Sequence, residues 1–161
     1  MNVKENVETM VKNEPLYLIP LTLRQANEFA DKHRRDHRPI AYDKFSIGCV
    51  LEGKLIGAAI VDYPREHRLN NGLTLAVRFI YTTGGRRAYG MLYGAAARAA
   101  AALGYCRIVA FLPENRSDSG LRAAGWMPLE LTDSEKKRKP GRLCYEQRLL
   151  VRHRSPGVVS I

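Results

Sequence analysis

Residues 82–100, TTGGRRAYGMLYGAAARAA, set two glycines and two arginines directly before a run of small residues. These residue types suit the capture of an anion. The first turn of a helix presents unpaired N–H groups and the positive end of its dipole. Glycines ahead of it let a phosphate approach the backbone, and arginines add charge and directed donors. The segment GGRRAYG at 84–90 therefore fits a pyrophosphate site after a strand. It also fits a glycine-rich turn leading into a core helix. Spacing excludes two nucleotide loops. A Walker A loop needs Lys-Ser or Lys-Thr after its last glycine, and Gly90 is followed by Met91. A dinucleotide fingerprint needs G-x-G-x-x-G, which Gly84, Gly85 and Gly90 do not satisfy. What remains is the tetrad Arg87, Ala88, Tyr89, Gly90.

Two other groups of residues invite a chemical reading. Cys49, Cys106 and Cys144 lie far apart without a CxxC pair, which argues against a zinc site, and no metal centre is expected. Cys49 and Cys106 fall inside apolar, strand-like runs and are expected to be buried free thiols. The run KKRKPGR at 136–142 offers Lys136, Lys137, Arg138, Lys139 and Arg142 to nucleic-acid phosphates, or serves as a solvated loop between strands. The net charge of +10 favours anionic partners without choosing among phosphorylated cofactors, nucleic acid and acidic surfaces.

The elements that must position these residues can be read along the chain. Residues 1–14 form a polar N-terminal arm, with Val3, Val7 and Val11 at a weak helical spacing; 152–161 form a C-terminal tail. One domain is expected over 15–151. LYLIPL (16–21) reads as a strand, and Thr22 with Gln25 forms a capping box for a helix with Leu23, Ala26, Ala30 and His33 on one face. KFSIGCVLEGKLIGAAIVDYP is a hairpin turning at Glu52-Gly53. A long strand at 73–82 follows, then a helix from about Tyr89 to Leu103 closed by Gly104 in the left-handed conformation. YCRIVAFL (105–112) is a buried strand, and a short helix capped by Ser117 or Asp118 closes at Gly125. WMPLEL and GRLCYEQRLLV are the last strands, with TDSEKKRKP a polar connection between them. The order is strand, helix, hairpin, strand, helix, strand, helix, strand, strand: an α/β fold with a mixed sheet. Hydrophobic residues at 45% and charged residues at 26% suit a globular domain. No apolar run spans a bilayer and no signal core opens the chain, so a cytoplasmic protein is expected.

With the Gly-Arg segment after the fourth strand, and with ENRSDSGLRAAGW later, the chain resembles the GNAT (Gcn5-related N-acetyltransferase) superfamily. In PLTLRQAN, HRPIAYDKFSIG, LNNGLTLAV, MLYGAAARAAAALGY and LRAAGW it resembles more narrowly a small branch of GNAT-like proteins from bacteria and phages. The resemblance covers about 16–127. It implies a single GNAT-like domain, a central mixed β-sheet flanked by helices, with acetyl-CoA as acyl donor. It implies that Ile80, Tyr81 and Thr82 lie beside the pantetheine arm, that Arg86, Arg87, Ala88, Tyr89 and Gly90 hold the pyrophosphate, and that Asn115 contacts the cofactor arm. Either Arg86 or Arg87 leads the pyrophosphate loop.

The implied reaction is direct transfer of an acetyl group to an amine, on a small molecule or a polypeptide. It needs a base for the amine, a backbone donor for the developing oxyanion and an acid for the leaving thiolate. Here the chain departs from the branch. Ala76 stands where a Glu is usual, Phe79 where an Arg is usual, and Leu121 where the superfamily's Tyr falls. Either other residues act or catalysis is lost. The substitutes are His37 and, beside it, His33; Glu66 and His67 before the fourth strand; and Tyr81, Tyr89 or Tyr145 as acid. The rival expectations are a nucleic-acid-modifying or nucleic-acid-binding protein of the same fold, and an inactive acyl-CoA-binding protein.

Overall fold

The computed structural model describes residues 15–34 and 36–150. The expected N-terminal arm and C-terminal tail lie outside the described residues. Strand β1 (Leu16–Leu21) leads into helix α1 (Leu23–His33). Its capping box forms as the T-x-x-Q spacing requires: Gln25 N–H donates to Thr22 Oγ1 at 3.1 Å, and Thr22 N–H donates to Gln25 Oε1 at 2.9 Å. Strands β2 (Phe45–Leu51) and β3 (Lys54–Asp62) form the hairpin. Glu52 and Gly53, at φ 48° and 75°, make a two-residue turn of the primed kind that matches strand twist. Strand β4 (Thr74–Thr82), helix α2 (Gly85–Ala102) and strand β5 (Arg107–Pro113) follow. Helix α3 (Ser119–Ala123), strand β6 (Met127–Leu129), helix α4 (Asp133–Arg138) and strand β7 (Arg142–Arg148) complete the described chain.

The seven strands form one sheet in the order β1-β2-β3-β4-β5-β7-β6. Only β4 and β5 are parallel; the other pairs are antiparallel. The fold is thus α/β with a mixed sheet, as expected. Helix α2 lies on one face over Leu75, Val77, Ile108, Ala110 and Leu112. Its buried Ala96, Ala97 and Ala100 let its backbone come close to the strands. The opposite face buries Leu69, Ala76, Val109, Leu131 and Cys144.

Three expectations need correction. Helix α2 begins at Gly85, not near Tyr89. Thr82 Oγ1 donates to Ile56 O and accepts from Gly84 N–H, so the chain turns at once on leaving β4, and Gly85 takes the corner at φ 69°. The arginines therefore sit in the first helical turn. The polar connection after β6 contains a helix, α4, whose start is a second capping box between Thr132 and Glu135. Cys106 is exposed rather than buried, because β5 starts one residue later; Cys49 and Cys144 are buried free thiols. Burial pushes Cys49 up to about 11 and Cys144 up to about 12.

Candidate active site

The site is built on an irregularity of β4. Val61 pairs with Val77 and Ile60 with Phe79, so Arg78 has no partner across the ladder. This is a β-bulge, and it re-aims the side chains that follow. Leu75 and Val77 face α2; beyond the bulge, Phe79 and Tyr81 pack on the α1 side against His37 and His33. Pairing of β4 with β5 also ends at Val77 and Ala110, while β5 continues with β7 to Pro113. The two parallel strands therefore part directly after the bulge. Thr83 N–H donates to Ile56 O, so by antiparallel alternation the backbone groups of Ile80 and Thr82 point away from β3, toward the gap.

Two cavities meet at this gap. One, of about 220 Å³, is lined by Thr82, Gly85, Arg86, Tyr89, Ser119 and Leu121 among others. The other, of about 310 Å³, is bordered by His37, Arg78, Phe79, Ile80, Phe111 and Arg142 among others. Tyr93, Leu112 and Arg116 border both.

The first cavity is open at the N-terminus of α2. Gly84 caps that helix with no side-chain hydrogen bond. A Cβ on Gly84 would stand 2.7 Å from Ala88 Cβ and 3.0 Å from Ile56 Cδ1, so only glycine lets the turn lie against β3. Arg86 lines this cavity, whereas Arg87 acts electrostatically on Cys49. Ala88 is buried against β3, and Gly90 faces α3, with Gly120 O 3.8 Å from the place its Cβ would take. Asn115 is exposed in the turn beside the cavity; its neighbours Arg116 and Ser117 line it.

The ring of Tyr89 packs against Tyr93 at 6.4 Å, with the Arg116 guanidinium 5.9 Å from its centroid. Burial raises the Tyr89 pKa above 10, against the pull of Arg116 and the Thr82 amide. Its hydroxyl is protonated at neutral pH. Tyr81 stacks on His33 at 5.6 Å with the Arg34 guanidinium 6.0 Å away. Leu121 is core, in the cluster of Tyr93 and Trp126. Ala76 is likewise buried, beneath Leu69 and Leu131.

His37 has an assignable tautomer. Asn27 is fixed by the Ile40 backbone: its Nδ2 donates to Ile40 O at 2.9 Å and its Oδ1 accepts Ile40 N–H at 3.0 Å. The 3.1 Å contact between His37 Nε2 and Asn27 Oδ1 must then be donated by the imidazole, leaving Nδ1 as the acceptor in the neutral ring. Glu66 is buried and held by Lys139 Nζ at 2.9 Å. It borders a third cavity, of about 370 Å³, with Ala76, Arg78 and Arg142. His33 and His67 are exposed. The Tyr145 hydroxyl donates to Asp118 Oδ2 at 2.8 Å, and that carboxylate also takes Arg122.

The basic run divides, with Arg138, Lys139 and Arg142 on the third cavity and Lys136 and Lys137 away from it. Lys136, Lys137 and Arg138 end α4, Lys139 is tied to Glu66 and lies 4.3 Å from the Phe111 ring centroid, and Arg142 opens β7 at the cleft. Arg78, Arg116 and Tyr93 escaped the sequence reading. The bulge at Arg78 carries no glycine or proline to announce it.

The architecture is that of the GNAT superfamily acetyltransferases. A phosphinothricin acetyltransferase of that superfamily from Sinorhizobium meliloti, solved in complex with AcCoA, superposes with a TM-score of 0.65 at 14% identity, over 89% of this chain and 95% of that one. A protein from Salmonella typhimurium solved with its cofactor acetyl-CoA gives 0.60 at 12% identity, over 89% and 98%. The ribosomal-protein-S18-alanine N-acetyltransferase of Escherichia coli gives 0.56 at 10% identity, over 89% and 99%. No family profile and no curated protein sequence matches the chain. No helix among the described residues is long and apolar enough to cross a membrane.

Proposed function

We propose that the protein is an N-acetyltransferase that takes its acetyl group from acetyl-CoA and passes it directly to an amine. The observation that carries this reading is the gap after Val77, where the backbone groups of Ile80 and Thr82 are directed away from β3 toward cavities at the N-terminus of α2. The acetyl-CoA bound by structural neighbours of the same fold supports it.

The residues fit the cofactor. Ile80 and Thr82 offer backbone groups to an extended amide-bearing arm, in the manner of an added strand. Arg86 and the first-turn amides of α2 suit a pyrophosphate, and Arg87, Ala88, Tyr89 and Gly90 complete that turn. Asn115, Arg116 and Ser117 flank the same cavity. Acetyl-CoA, when bound, supplies a thioester carbonyl open to attack by an amine.

His37 Nδ1 takes the proton of the amine in this assignment, since Asn27 holds Nε2–H. Glu66 is the weaker base because Lys139 occupies its carboxylate. The Ile80 N–H, directed into the gap, is the donor for negative charge on the carbonyl oxygen. Tyr89 rather than Tyr81 returns a proton to the sulfur, because it borders the cofactor cavity and its raised pKa keeps it protonated.

The test is release of the CoA thiol from acetyl-CoA over a panel of small amines and peptides. Amine-dependent release is expected. Binding of acetyl-CoA with no release from any amine would favour a second reading, a binding protein that keeps the fold, which the core positions of Ala76 and Leu121 support.

A further inference from the structure

The second cavity carries a charge pattern that the transfer reaction does not explain. Arg38, Arg78, Arg116 and Arg142 border it, with Arg34 at its rim. Its lone carboxylate, Asp36, is 85% exposed and stands 3.8 Å from Arg34. Among the described residues, no carboxylate forms an ion pair with Arg38, Arg78, Arg116 or Arg142. The adjoining cavity shares Arg78 and Arg142 and adds Arg65, Arg138 and Lys139; its one carboxylate, Glu66, is already taken by Lys139.

Gathering guanidinium groups in a half-enclosed space costs Coulomb energy unless an anion joins them. The bulge holds Arg78 half-buried between both cavities, where burial and the nearby Arg65 act against its charge more strongly than Asp62 and Glu66, neither of which reaches it as an ion pair, act for it. The rest of the lining includes apolar Phe79, Ile80, Phe111 and Leu112. This pairing of apolar lining and guanidinium forks suits a short organic molecule ending in an oxyanion, since such forks match carboxylate and phosphate oxygens in pairs.

We infer that the acceptor is a small amine bearing a carboxylate or phosphate group, held by Arg78 and Arg142 so that its amine points toward the gap between β4 and β5. This rests on the acetyl-transfer reading above. It also assigns a use to two arginines that neither the helix terminus nor the cofactor cavity employs.

The experiment is calorimetric titration of the CoA-saturated protein with O-phosphoethanolamine and β-alanine, against ethanolamine and propylamine. Arg78→Gln and Arg142→Gln are compared with Arg98→Gln, which removes the same charge from the exposed face of α2; circular dichroism confirms folding of each. The two acidic amines, or one of them, should bind while the neutral-ended amines do not. The choice between phosphoethanolamine and β-alanine tells phosphate from carboxylate. Arg78→Gln and Arg142→Gln should each weaken that binding roughly tenfold or more, with Arg98→Gln near wild type. If ethanolamine or propylamine binds as well as the acidic amines, if none of the four binds, or if all three variants behave alike, the inference is wrong while acetyl transfer stands. If acetyl-CoA itself gives no heat with the wild type, the transfer reading fails and this inference falls with it.

Discussion

Tyr89 is the residue on which the mechanism depends most. The position where this superfamily's tyrosine is expected holds Leu121, a core residue, yet a phenol reaches the same cavity from α2. Tyr89→Phe keeps the ring and its packing on Tyr93 while removing the proton donor. It should lower kcat about 100-fold with the acetyl-CoA KM little changed. An acid acts only while protonated, and burial has raised this pKa above 10. In the wild type the limb of the pH profile that belongs to Tyr89 is therefore the alkaline one: the rate falls as pH rises through that elevated value, and Tyr89→Phe should lose this limb. Steady-state kinetics against pH checks both points; an unchanged kcat in Tyr89→Phe rules this role out. The sequence named Tyr89 and Tyr81 together and had no means of parting them. The β4 bulge parts them, sending Tyr81 to the α1 face beside His33. The tautomer of His37 was equally out of reach, since it depends on an Asn27 carbonyl ten residues away in sequence.

Elements were legible where a local rule decides them. The Thr22–Gln25 box started α1, the Glu52-Gly53 pair turned the hairpin, and Gly104 and Gly125 closed helices at φ 93° and 87°. Helix α4 obeys the same capping rule through Thr132 and Glu135, but six polar residues with three cations hid it behind the look of a loop. Its stability is tertiary. Glu135 is buried, and Arg68 Nη2 donates to its Oε1 at 2.8 Å from 67 residues away. Burial alone would raise the Glu135 pKa; the bonds from Arg68 and Thr132 outweigh it and hold the carboxyl below the ordinary 4.5. The stabilisation is therefore complete above that value and is lost as pH falls through the lower folded-state pKa. Glu135→Ala should cost about 2 kcal/mol at neutral pH, through the lost cap and the unpaired Arg68. Urea unfolding at pH 7 and at pH 3 checks it. The variant and the wild type should differ less at the acid value, and an equal gap at both would refute the assignment.

At the scale of the whole molecule, the alternation of strands and helices made a mixed α/β sheet legible in the sequence; the strand order, with β7 set between β5 and β6, was not. Nor was the cleft. It exists because β4 and β5 part after Val77 and Ala110, and register of that kind is set by packing across the sheet rather than by any motif. The net charge of +10 was visible in the composition, but its meaning depends on where the arginines gather, and several line the cleft. The central claim is that this cleft and the first turn of α2 form an acetyl-CoA site. Calorimetric titration of the purified protein with acetyl-CoA tests it most directly, run beside the Arg86→Ala plus Arg87→Ala double variant. The account predicts saturable one-site binding for the wild type and affinity weakened roughly tenfold or more in the variant. No binding by the wild type at concentrations of about tens of micromolar, or equal affinity in both proteins, would contradict it.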